Sequence, residues 1–274
     1  MSITIIGPDS PRRKSLADML EIANGELSDQ DSILMTASPT PELKRNFPRW
    51  LADFIGVDAK EATHRLQLRW TGLQSPLLKK LIGLMLPVEE FFLCIEDAAD
   101  DTRSSKSQLS YSIIWYTALG TSIDPKTHQP GNQDFMLAAP PEFSVTDALA
   151  KFVTPTPLMA EFFTHFHALR ESPPGCAGSF LPPNTWDRVA EDRHLASYRQ
   201  SKEWQTAVSI YHALNGDYVL LSKTGKTAWA QMETQRIVPL KDDFEAFIQH
   251  YVAYRRFSWP FDSWGAKGVL KLES

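Results

Sequence analysis

The chain has 274 residues, 43% of them hydrophobic, enough to bury a sizeable core without disulfide or metal staples. Its net charge is −5, and the basic residues Arg12, Arg13, Lys14, Lys79, Lys80, Arg255 and Arg256 are scattered in twos and threes, which argues against nucleic acid as a partner. Cys94 and Cys176 match no metal-ligand spacing and the longest apolar run, Leu81 to Leu86, is too short to cross a bilayer; a cytoplasmic protein with reduced thiols, no cofactor, no metal and no membrane partner is expected.

Ile3-Thr4-Ile5-Ile6 reads as a short strand closed by Gly7-Pro8-Asp9. Ser10-Pro11 then resembles a helix N-cap with proline at the first helical position, and Leu16, Met19, Leu20 and Ala23 follow at helical spacing until Asn24-Gly25. Thr40-Pro41 repeats the start signal. Leu43, Phe47, Trp50, Leu51 and Phe54 continue the helical period, but Pro48 removes a hydrogen bond and requires a kink or break. Further helices are predicted from Asp58 to Trp70 and from Pro76 through Met85, the second apolar on more than one face and therefore buried. Tyr111 to Leu119, rich in aromatic and branched residues, reads as a strand, and the loop from Gly120 to Asn132 is the place for a domain boundary.

Between those segments lies an acidic group, Glu89, Glu90, Glu96, Asp97, Asp100 and Asp101, which supplies most of the excess negative charge. The bland reading is a solvated helix end or loop; the functional one is a surface that steers a basic protein partner.

Beyond the boundary a short helix runs from Ser144 to Phe152, and Thr156-Pro157 starts one that turns Leu158, Phe162, Phe163, Phe166 and Leu169 inward. Asn184 is read as the cap of a helix carrying Trp186 and Val189, followed by a polar helix through His194, Tyr198 and Trp204. Three runs, Ala207 to Tyr211, Tyr218 to Leu221 and Thr227 to Met232, are separated by Asn215-Gly216 and Thr224-Gly225, the dipeptides that mark consecutive hairpins. Val238-Pro239-Leu240 leads into a last helix with Phe244, Phe247, Ile248, Tyr251 and Val252 spaced three and four apart.

The C-terminal part resembles the SUKH superfamily, the fold of many bacterial immunity proteins. The resemblance rests on the early helix Leu158 to Phe163, the element Gly216-Asp217-Tyr218-Val219-Leu220-Leu221, the turn and return strand Thr224-Gly225-Lys226-Thr227-Ala228-Trp229, and the closing helix Asp243 to Ile248. It covers well under half the chain. His167-Ala168-Leu169 stands where the family has an asparagine-glycine pair, and Ala230-Gln231 where it has acidic residues or histidine. The resemblance implies a protein that binds and neutralises a toxin by surface complementarity and brings no catalytic residues.

An enzymatic reading is weaker. His165 and His167 are two apart on a helix, so their side chains diverge by about 200° and cannot share an ion. Cys176 sits in Pro174-Gly175-Cys176-Ala177-Gly178 without the flanking signature of a cysteine hydrolase. The fold expectation is therefore α+β, with a largely helical region at 1–130 and a SUKH-like antiparallel sheet packed by helices at 131–274. The function expected is binding of a protein, with a basic toxin domain as the leading partner. A regulatory or scaffold module is the alternative, and a hydrolase with dispersed residues the third. The residues marked as interface are Glu89, Glu90, Glu96, Asp97, Asp100, Asp101, Asp217, Trp229, Trp259 and Trp264, the last two because a tryptophan-rich tail must either fold back or form an exposed patch.

Overall fold

Four helices begin where a hydroxyl residue precedes proline. A computed structural model describes residues 2–23, 32–98, 108–117, 122–123, 130–131, 134–138, 144–166, 169–171, 178–192, 194–198, 202–213 and 216–254. In α2 (Pro41–Asn46), α5 (Pro76–Met85) and α7 (Pro157–His165), the hydroxyls of Thr40, Ser75 and Thr156 accept the N–H of Leu43, Leu78 and Met159 at 3.2, 3.3 and 3.2 Å. Each bond satisfies a donor that the first helical turn leaves free. Pro11 opens α1 (Pro11–Ala23) in the same position. Pro48 breaks the chain as expected: α2 stops at Asn46 and α3 (Arg49–Ala52) starts just after it. Asp58 caps α4 (Ala59–Arg69) through the Glu61 N–H at 2.8 Å.

The strands are β1 (Ser2–Ile6), β2 (Ser32–Thr36), β3 (Val88–Ala98), β4 (Gln108–Thr117), β5 (Ser122–Ile123), β6 (Pro130–Gly131), β7 (Asp134–Ala138), β8 (Arg170–Glu171), β9 (Gly178–Phe180), β10 (Val208–Ala213), β11 (Tyr218–Leu221), β12 (Lys226–Gln231) and β13 (Arg236–Asp243). The remaining helices are α6 (Val145–Ala150), α8 (Lys202–Gln205) and α9 (Phe244–Tyr254). Apart from the small β5-β6 ladder, the strands join one eleven-stranded sheet in the order β13-β12-β11-β10-β9-β8-β7-β4-β3-β1-β2. Every pairing in it is antiparallel except β1 with β2, which run parallel on either side of α1 in sequence. The class is α+β.

The N-terminal region corrects one expectation: it is not largely helical but, among the described residues, supplies β1 to β5 as well as five helices. β3 was hidden because Phe91-Phe92-Leu93-Cys94-Ile95 is a continuous apolar run between acidic flanks. A strand buried on both faces shows no alternation. Leu93 and Ile95 join one core while Phe92 and Cys94 join another on the opposite face. Nor does the sheet break at 130–131, since β4 pairs with β7 and β7 with β8.

One face of the sheet carries a core that runs from Ile6 to Ile248 and is covered by α2 to α7 and α9. Among the described residues the other face has two separate covers. α1 lays Leu16, Ala17 and Leu20 over Ile3, Ile5 and Phe92, while Val189, Leu195, Tyr198 and Trp204 lie over Leu220, Ala228 and Ala230. The segment over the second patch was expected to be two helices. It is instead a 3-10 turn (Pro183–Thr185), a strand-like bridge of Arg188 to Val208, turns, and the four-residue α8. Pro182-Pro183 set the entry, and the Trp186 indole N–H donates to the Leu181 carbonyl at 2.8 Å, which holds that turn.

The hairpins follow their glycines. Gly216 and Gly225 both have φ of +87°, the left-handed conformation that an L side chain resists. A fourth strand, β13, extends the expected three-strand meander, and Pro239 is accommodated because β13 is the outermost strand on that side. Asp243 Oδ1 then accepts the Ala246 N–H at 2.9 Å and turns the chain into α9.

α7 is the junction of the covered face. Phe162 is fully buried, with its ring 4.6 Å from Phe180, 5.3 Å from Phe166 and 5.6 Å from Phe244 between centroids. Phe162→Ala should lower stability by about 3–5 kcal/mol, the cost of a phenylalanine-sized cavity in a core that cannot collapse. Urea unfolding of the two proteins, monitored by tryptophan fluorescence, measures the difference.

Candidate functional site

Four places gather chemistry-bearing side chains. One is a cleft of about 750 Å³ at the C-terminal ends of the parallel strands β1 and β2. Its floor includes Ile6, Phe54 and Phe91, the last two rings in edge contact at 6.2 Å. Arg12, Lys44, Asp58, Glu89 and Glu90 bring charge to its walls. Arg12 reaches Glu89 at 3.0 Å and lies 4.7 Å over the Tyr116 ring, so that pair is held in place by α1 and β4. Asp58 is engaged in capping α4. Gly56, at φ +75°, also lines the cleft, and no atom lies within 4 Å of where a side chain would begin.

The acidic group is not one patch. Glu89 and Glu90 stand at the cleft end of β3, whereas Glu96 and Asp97 stand at the other end, opposite Ile3 and Ser2 of β1. Six residues of extended chain separate Glu90 from Glu96, about 20 Å at the rise of a strand. Alternation places Glu96 and Asp97 on opposite faces, both half-buried. The helix end or loop expected for these residues is thus replaced by a central strand. Asp100 and Asp101 lie outside the described residues, as do Trp259, Trp264, His167 and Cys176.

The third place is the β11-β12 corner. Asp217 is only 5% exposed, and its two carboxylate oxygens accept the Trp229 indole N–H and the Met232 backbone N–H, both at 2.8 Å. Asp217 and Trp229, both marked as interface residues, are therefore brought together by the fold, with the acid turned inward and the indole half-buried. The neighbouring Tyr198 hydroxyl is pushed up in pKa by burial, with the charges of Asp217 and Asp192 adding to it. A charged acceptor bonding two donors forms a strong internal link.

The fourth place surrounds His165 at the end of α7. Glu161, one turn earlier, accepts the Ser75 N–H at 3.0 Å and also the Gln74 N–H, so it caps α5 from a different part of the chain. Arg69 lies 4.8 Å over the Trp50 ring. Burial holds the His165 imidazole below its ordinary pKa; Glu161 pulls it up and Arg69 pushes it down. The sequence reading of His165, which only excluded an ion shared with His167, does not reach this arrangement, because Arg69 is remote in sequence and comes near His165 only where the ends of α4 and α7 meet.

Among the described residues no group of three or more His, Cys, Asp or Glu is placed to hold a metal ion, and no helix is long and apolar enough to cross a membrane. Cys94 is buried in the core beneath α1. Comparison with protein-family models, with curated proteins and with solved structures finds no match.

Two measurements check the electrostatics. Asp217→Ala leaves the Met232 N–H and the half-buried Trp229 N–H without their acceptor, so it should cost roughly 2 kcal/mol and shift Trp229 emission; equilibrium unfolding and fluorescence read both. For His165 the unfolded chain takes up a proton first as pH falls below the ordinary value of 6.5, because the folded pKa lies lower. More protons on the unfolded side means that stability rises with pH in that window, so it is full above it and declines as pH falls through it. His165→Gln should remove that component, seen as a shallower fall in Tm between pH 7 and pH 5.

Proposed function

We propose that the protein acts by binding another protein, as an immunity-type module of the SUKH kind that neutralises a toxin in the cytoplasm without chemistry of its own. The observation that carries this reading is the C-terminal arrangement. An antiparallel meander with glycine turns is closed by α9, and α7 lies against α9 on the same face, with Phe163 and Phe244 in ring contact. That is the order of elements that the Leu158, Gly216, Thr224 and Asp243 motifs imply. The Asp217 link supports it further, since it ties the start of β11 to the end of β12, at the end of that hairpin away from its Thr224-Gly225 turn, and so presets the shape of that end of the sheet. Preset surfaces bind with less ordering cost.

The acidic balance favours a basic partner. Glu96 and Asp97 at one end of β3, and Glu89 and Glu90 at the other, contribute field over a wide surface and not a single contact. Their effect belongs mainly to the rate of association and its salt dependence.

Affinity capture of the tagged protein from its own host at endogenous level, washed at high salt and followed by mass spectrometry, should recover a stoichiometric basic toxin domain. Co-expression should then protect cells from that domain. The variant carrying Glu96→Lys and Asp97→Lys should associate more slowly by about ten-fold at low salt and show a weaker salt dependence. Recovery of the protein alone, or a captured partner whose toxicity is unchanged by co-expression, overturns the proposal.

A further inference from the structure

The start of α1 leaves polar groups unsatisfied that the partner-binding reading does not use. In α2, α5 and α7 the hydroxyl residue before proline caps its helix, but the Ser10 hydroxyl before Pro11 is shut off from water and makes no hydrogen bond among the described residues. The Arg13 backbone N–H bonds the Ser10 carbonyl instead, at 3.2 Å. The Arg13 side chain is only 6% exposed. Its Nη1 donates to the Gly7 and Pro8 carbonyls at 3.3 and 3.5 Å, which brings the guanidinium back against the turn between β1 and α1, and its buried Nε–H has no acceptor. No carboxylate pairs with it among the described residues.

A guanidinium this buried is costly without an anion, since water has been removed from a charge and nothing of opposite sign replaces it. The helix adds to the cost. The first turn of α1 holds Arg12, Arg13 and Lys14 and no acid, so cations crowd the positive end of the macrodipole, where an anion is favoured. Glu89 matches Arg12 at 3.0 Å but leaves Arg13 unpaired. The dipole, the buried guanidinium and the buried hydroxyl thus lack the same partner, a compact anion that accepts several hydrogen bonds. Phosphate has that form, and a helix N-terminus offers it free backbone N–H groups as well as the dipole.

The turn also has room beside it. β1 and β2 run parallel with α1 between them in sequence, so the turn lies at their carboxyl ends, next to the cleft of about 750 Å³ that Gly7, Pro8 and Arg12 help to line. That space can take a small molecule attached to the phosphate. Glu89, Glu90 and Asp58 line other parts of the same cleft and oppose a second anionic group there.

We propose that the β1-α1 turn binds a single phosphate group through Ser10, Arg13 and the N-terminus of α1, either as the free ion or as the monoester of a small molecule without further negative charge. The site rests on nothing in the toxin-neutralising reading, and either can fail without the other.

The test is calorimetric titration and thermal melting of the full chain, in phosphate-free buffer, with inorganic phosphate, with glycerol phosphate and with chloride at matched ionic strength. Phosphate should bind at millimolar concentration and raise Tm, because a ligand of the native state stabilises it, and chloride should do neither. Ser10→Ala should melt at the wild-type temperature without phosphate, since the hydroxyl bonds nothing, and should bind phosphate about ten-fold more weakly for want of one charge-assisted hydrogen bond. Arg13→Met should lose the response to phosphate. Lys14→Met removes an exposed cation from the same turn and should keep the affinity within about two-fold. Glycerol phosphate binding at least as tightly as the free ion assigns the monoester, and weaker binding assigns inorganic phosphate. The proposal is overturned if neither phosphate binds at millimolar concentration, if chloride raises Tm as much, or if Lys14→Met weakens binding as much as Ser10→Ala.

Discussion

The aromatic face of α7 is the constraint on which the rest of the molecule depends. Phe162 and Phe163 meet Phe180 on β9 and Phe244 on α9, which ties the C-terminal meander to its cover. Phe166, at the helix end, meets Trp70 at 5.6 Å, and Trp70 meets Trp115 of β4 at 6.3 Å. Trp115 in turn donates its indole N–H to the Met85 carbonyl at the end of α5. A single line of rings thus joins two stretches of chain that share no local sequence logic. Glu161 fastens the same junction with a carboxylate on the Gln74 and Ser75 N–H groups that lead into α5. Rings of this size each remove a large apolar area from water, and the edge-to-face contacts of Phe162 with Phe244 and of Phe163 with Phe180 add to that burial.

A sheet covered continuously on one face and in two patches on the other divides its labour. The continuous face carries stability. The two patches leave the ends of the sheet with separate surroundings: the cleft beside α1 at one end and the Asp217-Trp229 corner at the other. Charge follows the same division, because β3 carries acids at both of its ends and only apolar residues between Phe91 and Ile95.

Local signals in the sequence were readable wherever one residue type does one job. Proline after serine or threonine starts helices, Pro48 interrupts one, and Gly216 and Gly225 turn hairpins; each acts within four or five residues and needs no tertiary help. β3 and β2 were not readable. Both are short apolar runs without alternation, and what makes them strands is pairing with β1, far away in sequence for β3 and across a helix for β2. The site suffered more than the fold. Neighbours in sequence at 89–97 looked like a cluster, but extended backbone carries them about 20 Å apart and alternation splits them between faces. Conversely, the cleft draws on Arg12, Lys44, Gly56 and Glu90, four positions in four separate segments whose meeting only the pairing of β1 with both β2 and β3 reveals.

The position of α7 also fixes an order of events during synthesis. The chain emerges with β1 to β4 and α1 to α5 first, yet Trp70 meets Phe166 only once the end of α7 has been made. Some 70 residues separate the end of α5 from the start of α7, about 4–15 seconds at ordinary translation speeds. For that interval the growing chain displays an apolar sheet face with one layer incomplete. The layer is completed only when Phe162 and Phe166 have been made.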